Sequence, residues 1–254
     1  MDSALFGILW PALLAGLLVS ATHVPLGMQV LRRGIVFIDL AVAQIAGLGV
    51  IVADRFGYEP QGAAVQVAAL GAALAGALAL NWTDKRWPEV QEAVIGVSFV
   101  VAANAAILLL ASNPHGAEHL KDLLVGQILW ADPSRLAIVA IVYAAILALW
   151  FGLGKRLGRV GFYLLFACAV TASVQLVGVY LVFATLIVPA LGTLRFARGR
   201  LAAAYAVAGL AYAAGLALSL VSDMPPGPLI VCVMALLGLA LFSIPGRRMD
   251  KLRV

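Results

Sequence analysis

The sequence predicts an all-α polytopic membrane protein, a compact bundle of about eight or nine transmembrane helices. Hydrophobic residues make up 64% of the 254 positions, and the mean hydropathy is +1.05. Charged residues make up 11%, whereas soluble domains carry about 25%. Because one transmembrane helix takes about 20 apolar residues, the length suffices for eight or nine crossings with short loops. We therefore expect a single transmembrane domain over residues 1–254, with no soluble domain and no ATPase of its own.

The predicted spans follow from apolar runs that polar residues separate. The first run lacks the basic segment that opens a cleavable signal peptide and continues through Pro25 to the Arg32-Arg33 pair, so we interpret it as a retained helix. His23, two residues before Pro25, is expected at a break in that helix. The runs lie at residues 4–31, 35–53, 62–80, 93–112, 135–153, 160–194, 201–221 and 229–244.

Basic residues predict the orientation of the chain. Loops rich in Lys and Arg lie on the cytoplasmic side of a membrane, so the net charge of +5 indicates orientation rather than binding to nucleic acid. Only Arg55, Lys121 and Arg135 fall on the other side, and we expect a cytoplasmic C-terminus. The basic residues on the predicted cytoplasmic side are Arg32, Arg33, Lys85, Arg86, Lys155, Arg156, Arg159, Arg195, Arg198, Arg200, Arg247, Arg248, Lys251 and Arg253.

The run at 160–194 is too long for one upright helix and short for two. Both of its ends are basic, at Arg159 and Arg195, so the chain must return to the side on which it started. We expect two short, broken spans or one span with a re-entrant half, turning near Gly178 and interrupted at Pro189. Broken helices occur where they are buried in protein or line a cavity, which makes this segment a candidate part of a transport path. A single proline-kinked helix facing lipid is the alternative.

Asp39 is the only carboxylate well inside an apolar run. Ionisable residues in membrane spans are costly and often functional, and a buried carboxylate with neighbouring oxygen ligands suits a divalent cation. Gln44 and Gln175 could supply neutral oxygens. Alternatively, Asp39 caps its helix or pairs locally, for example with Arg32 or Arg33. Gln175 would then only join helices by hydrogen bonds, as Gln66 and Asn104 would.

His115 and His119 form a second, weaker candidate for a metal site. They stand four residues apart in a polar segment with Glu118 and Asp122 nearby, so one helical turn could bring them together. An ordinary solvated loop is the alternative. Neither a phosphate-binding loop nor a set of catalytic residues is present in the sequence. We expect no enzymatic activity and no permanently bound cofactor, and a separate subunit would have to hydrolyse ATP if ATP drives transport.

Three stretches together resemble the permease subunits of the bacterial ABC importers for zinc, manganese and iron. The first, 25–49, holds the double arginine and the segment from Asp39 to Gly49. The second, 92–129, begins Glu-Ala-Val-Ile-Gly, and the third, 177–190, contains a glycine followed by a proline. They occur in the order of that family, and the length and number of spans also agree.

The resemblance implies a homodimeric pore in the lipid of the bacterial inner membrane. Two cytoplasmic ABC ATPase subunits and an extracytoplasmic metal-binding protein would complete the transporter, and zinc is the first candidate for its cargo, before manganese or iron. Family members carry an aspartate and a histidine one turn apart on the second span. Asp39 matches the aspartate, but Ala43 or Gln44 occupies the histidine position.

The family also places a coupling helix for the ATPase in the segment that corresponds to 150–162. This segment is short and glycine-rich here, which indicates a divergent branch of the family with an abbreviated coupling region. Lys155, Arg156 and Arg159 are the candidate residues for docking the ATPase. Two other hypotheses stay open: a transporter or cation channel that works alone with Asp39 as its relay, and a membrane assembly protein that moves no metal.

Overall fold

The computed structural model describes residues 3–59, 62–110, 124–126, 128–130, 132–153 and 156–244. His115, His119 and Lys155 lie outside them. The described residues form nine α-helices and two short 3₁₀ turns, Pro88–Val90 and Ile128–Trp130. The helices are α1 Ser3–Arg33, α2 Ile38–Arg55, α3 Ala63–Arg86, α4 Gln91–Leu110, α5 Pro133–Leu153, α6 Gly158–Val177, α7 Val179–Gly192, α8 Arg200–Ser222 and α9 Pro226–Ser243.

Seven of these helices are long and apolar enough to cross a membrane. The other two are α2, which contains Asp39, Asp54 and Arg55, and α7, which has 14 residues. At 1.5 Å per residue α7 is about 21 Å long, shorter than the roughly 30 Å of a hydrocarbon core. The prediction of an all-α polytopic bundle is confirmed for the described part of the chain.

The segment at 160–194 is broken once, at Gly178. This glycine separates α6 from α7 with φ of 80°, a backbone conformation that favours glycine. The expected turn is therefore confirmed, but the expected interruption at Pro189 is wrong, because α7 continues through Pro189 to Gly192. Proline removes one backbone hydrogen bond, and membrane helices tolerate this loss where neighbouring groups compensate.

Val125 and Gly126 pack against this turn. A Cβ atom on Gly178 would collide with the backbone of Gly126, and one on Gly126 would collide with the backbone of Val177. Ile128, in the following 3₁₀ turn, is buried. The α6–α7 turn is thus covered by protein backbone from another part of the chain.

The predominantly basic helix ends lie together at one end of the bundle, which we call the basic end. The Arg33 guanidinium lies 4.3 Å from the ring centroid of Phe162, joining the end of α1 to the start of α6. Arg200 donates a hydrogen bond to the Ala190 carbonyl near the end of α7. Gly178 and Gly126 belong to the opposite end. The helix order thus returns the chain to the basic end after the α6–α7 pair, as the parity of basic loops predicts.

Helix α1 runs through the bundle without a break, so the expected break beside His23 is wrong. Pro25 has no N–H, which leaves the Ala21 carbonyl without its usual donor four residues on. The Tyr205 hydroxyl of α8 donates to that carbonyl at 2.9 Å. The helix continues because a neighbouring helix replaces the missing hydrogen bond.

Replacing Tyr205 by phenylalanine is expected to destabilise the protein by about 1 kcal/mol, because the Ala21 carbonyl loses its donor. Thermal unfolding in detergent micelles would measure the loss. In a Pro25→Ala background the helix regains its own N–H donor, so the same substitution should cost clearly less. Equal losses in both backgrounds would contradict the proposed compensation.

Candidate functional site

Asp39 lies in the first turn of α2 and is 1% exposed. Its Oδ1 atom has no hydrogen-bond partner among the described residues. The N-terminal end of a helix favours a negative charge, which helps to hold a carboxylate there. Arg33 packs on Phe162, and the described residues show no ion pair between Asp39 and Arg32 or Arg33. The carboxyl group instead accepts hydrogen bonds from backbone N–H groups in its own turn, at Asp39 and Leu40, so the alternative of local capping still stands beside that of a cation ligand. A buried carboxylate oxygen is thus left available for a cation.

The structure does not gather the predicted oxygen ligands around Asp39. Gln44 is buried on α2, but it lies five residues on, about 140° around the helix from Asp39. Gln175 is exposed near the end of α6 that meets Gly178, at the opposite end of the bundle from the start of α2. In the described ranges, three or more His, Cys, Asp or Glu side chains do not come together as a metal cluster.

The two other amides lie on outward-facing surfaces. Gln66 and Asn104 are exposed, and Asn104 donates to the Val100 carbonyl of its own helix at 2.8 Å. This contact does not join two helices.

Buried polar groups on α1 escaped the sequence interpretation. Ser20, Thr22 and His23 are at most 2% exposed, and the His23 Nε2 atom has no partner in the part of the chain that the structure describes. The signal was present in the sequence, since these three polar residues interrupt a long apolar run. Pro25 diverted the interpretation towards a helix break, which α1 does not contain.

Two tyrosines make similar buried contacts. The Tyr143 hydroxyl on α5 bonds to Ser173 on α6, and the Tyr212 hydroxyl on α8 bonds to Thr185 on α7 at 2.9 Å. Ser173 and Thr185 each donate to a carbonyl four residues earlier in their own helix. Ser173 and Thr185 therefore each donate a hydrogen bond within their own helix and accept one from a tyrosine hydroxyl.

The predicted coupling residues lie at the basic end. Arg156 is exposed, and Arg159 forms an ion pair with Asp84, 2.9 Å from Nη1 to Oδ2, while also donating to the Asp84 carbonyl. In the first turn of α4, Glu92 accepts a hydrogen bond from the backbone N–H of Phe37. The α3–α4 turn is thus bonded both to the start of α6 and to the segment before α2.

Comparisons with known proteins agree with this architecture. A model of the ABC 3 transport family matches residues 6–162 and 150–244. The high-affinity zinc uptake system membrane protein ZnuB of Haemophilus influenzae is 25% identical over 94% of this chain and 98% of its own. An uncharacterised membrane protein of Synechocystis is 26% identical over 87% of this chain and 85% of its own.

Two solved structures share the fold. PsaBC from Streptococcus pneumoniae, in complex with Fab, matches with a TM-score of 0.77 at 20% identity over 96% of both chains. An inward-facing metal-chelate type ABC transporter matches with a TM-score of 0.65 at 16% identity, over 92% of this chain and 84% of that one.

Proposed function

The chain belongs to the ABC 3 transport family, and from that membership we propose that it is the permease subunit of an ABC importer for a divalent metal ion. The observation that carries the proposal is Asp39, a buried carboxylate with an unpartnered oxygen in the first turn of α2. A cation would satisfy that oxygen and compensate the charge that burial otherwise penalises. Gln44 and Gln175 are further candidate ligands, which would act at other points of the path rather than beside Asp39.

Zinc is the proposed cargo, with manganese or iron as alternatives. The support is that the relative from Haemophilus influenzae is named for zinc uptake and covers almost the whole chain. Carboxylate oxygens bind all three metals, so Asp39 by itself does not discriminate between them. The residues of the polar segment at His115 and His119 stay weaker candidates for a metal contact on the extracytoplasmic side.

The proposed assembly has two copies of this chain in the bacterial inner membrane, with two ABC ATPase subunits on the cytoplasmic side. An extracytoplasmic metal-binding protein would deliver the ion. The basic end would face the cytoplasm, together with the C-terminus, since the positive-inside rule favours that orientation. The ATPases would supply the energy, and their binding of ATP would move the two permease copies between outward-facing and inward-facing states.

The test is purification of the expressed chain from its native membrane, followed by reconstitution with whatever ATPase co-purifies. We expect radiolabelled zinc to cross the membrane in an ATP-dependent manner, from the side on which the binding protein docks to the side that carries the ATPase. Cation movement down a gradient without any ATPase would contradict the proposal and favour a stand-alone transporter. Absence of any metal movement would favour an assembly protein.

The exposed Arg156 is proposed to contact the ATPase, together with Lys155 and Arg159. Replacing Arg156 by glutamate is expected to lower the affinity for the ATPase about tenfold, because a charge at the edge of an interface changes from attraction to repulsion. Titration of the detergent-solubilised permease with labelled ATPase would measure this change. Arg55→Glu is the control: Arg55 lies in the last turn of α2, away from the basic end, so its replacement should leave the affinity unchanged. Equal effects of both substitutions would contradict a docking role for Arg156.

A further inference from the structure

His23 has the orientation of a metal-binding histidine. Its Nδ1 atom lies 3.0 Å from both the Val19 carbonyl oxygen and the Thr22 hydroxyl oxygen. Because the carbonyl oxygen can only accept a hydrogen bond, and Thr22 can donate to that same carbonyl, we assign the ring hydrogen to Nδ1. In a neutral imidazole the lone pair then belongs to Nε2, which is buried and has no partner among the described residues. Histidines that bind metals are commonly held in this way, with the other ring nitrogen donating to a backbone carbonyl.

The described hydroxyl groups of α1 next to His23, and those of Thr185 and Tyr212, have no hydrogen left to donate to Nε2. Thr22 donates to the Val19 carbonyl, and Ser20 donates to the Gly16 carbonyl. Thr185 donates to the Leu181 carbonyl, so the Tyr212 hydroxyl must donate to Thr185. His23 Nε2 and the Tyr212 hydroxyl oxygen each keep a lone pair, and Nε2 is the atom without any partner among the described residues. These lone pairs can accept a hydrogen bond from water or bind a cation. A buried polar atom without a protein partner is usually satisfied in one of these two ways.

His23 faces the helices that carry the second hydroxyl. Gly16, Ser20, His23 and Gly27 follow one another at spacings of four, three and four residues, so they share one face of α1. A Cβ on Gly16 would collide with the Tyr212 ring of α8, and one on Gly27 would collide with the Leu186 carbonyl of α7. His23 lies between these two contacts on the same face. The Tyr212–Thr185 hydrogen bond joins the helices that meet there.

We propose that His23 Nε2 and the Tyr212 hydroxyl oxygen form a second station for the transported cation, inside the bundle between α1, α7 and α8. This inference rests on the proposed function. The station favours zinc or a similar borderline metal, since imidazole binds such ions well and manganese prefers oxygen ligands. It thus supplies the imidazole that α2 lacks at Ala43 and Gln44.

The station is distinct from Asp39. His23 precedes Arg33 at the basic end by ten residues, which is about 15 Å along α1, half of a hydrocarbon core about 30 Å thick. Asp39 lies on α2, which packs mainly on α3 and α4, whereas α1 packs mainly on α7 and α8. An ion would therefore meet the two residues in succession rather than together.

The experiment compares His23→Asn and His23→Gln with the wild-type protein in the complete transporter reconstituted in liposomes. Asparagine can keep a donor for the Val19 carbonyl but has no group at the Nε2 position, whereas glutamine can place an oxygen there. We expect His23→Asn to lower kcat/KM for zinc about 10- to 100-fold, with a smaller loss for His23→Gln. Tyr212→Phe should also lower zinc uptake. Tyr143→Phe, which removes the equivalent hydroxyl between α5 and α6, is the matched control and should not.

A second measurement tests binding separately from transport. Zinc alone should raise the unfolding temperature of the Asp39→Asn protein in detergent, and the effect should disappear when His23→Asn is added. Wild-type zinc uptake by His23→Asn, or a zinc effect on stability that persists in the double variant, would overturn the second station. If the wild-type protein does not transport zinc, but zinc still raises the unfolding temperature in a way that depends on His23, the proposed function is overturned and the station stands.

Discussion

Replacing Asp39 by asparagine is expected to lower kcat/KM for metal uptake by about 100-fold or more. The side chain keeps its size, but the buried Oδ1 atom no longer belongs to a charged group that can compensate a cation. Removing one partner of a buried ion pair costs about 3–5 kcal/mol, and each 1.36 kcal/mol corresponds to a tenfold change in rate. Uptake of radiolabelled zinc by the reconstituted complex, at a series of zinc concentrations, would measure the loss.

The control for Asp39 is Asp54→Asn, which makes the same chemical change in the last two turns of the same helix. Asp54 is partly exposed, so its neutralisation should leave uptake within about twofold of wild type. Both variants should retain a folded protein that binds the ATPase. Uptake by Asp39→Asn at the wild-type rate would refute the role of this carboxylate, and a loss caused by unfolding would be visible as failure to bind the ATPase.

Among glycine-to-alanine substitutions at the described positions, Gly27→Ala is expected to destabilise the protein most. The new Cβ would overlap the backbone carbonyl oxygen of Leu186, and a backbone atom cannot move away by changing its rotamer. Helices α1 and α7 would have to separate, which we expect to cost about 3 kcal/mol or more. The yield of monodisperse protein and its thermal unfolding in detergent would both fall.

Gly71→Ala is the matched control for this prediction. A Cβ on Gly71, in the interior of α3, would meet no atom within 4 Å. Alanine is also the better helix former, so we expect equal or slightly higher stability. If Gly27→Ala were as stable as Gly71→Ala, the close approach of α1 and α7 would not contribute to the fold.

The α6–α7 hairpin illustrates how much of the fold the sequence predicts. The parity of the basic loops requires an even number of crossings between Arg159 and Arg195, and Gly178 is the residue whose φ the turn needs. Pro189 was misinterpreted because proline is a helix breaker in isolation. Proline leaves one backbone carbonyl without its usual donor. Whether the helix continues then depends on the groups packed around that carbonyl, and these cannot be inferred from the sequence pattern.

The candidate site was predictable only in part. The placement of Asp39 inside an apolar run led to a proposed functional carboxylate, which agrees with its burial, but the proximity of Arg32 and Arg33 in sequence also favoured an ion pair. Arg33 packs against Phe162 instead, 129 positions away in the chain. His23 was misinterpreted as part of a helix break for a similar reason: its complete burial depends on the helices that pack on α1, and that packing comes from tertiary structure.

The position of α7 also determines when the interior of the bundle can be completed during synthesis. Helix α1 is made first, yet it packs mainly on α7 and α8, which are made after the first 178 residues. Until then, the polar face with Ser20 and His23 has no partner from those helices. A nascent chain that stops before α7 would leave this face available to lipid or to membrane chaperones, so quality control of this protein would act late, on the last third of the chain.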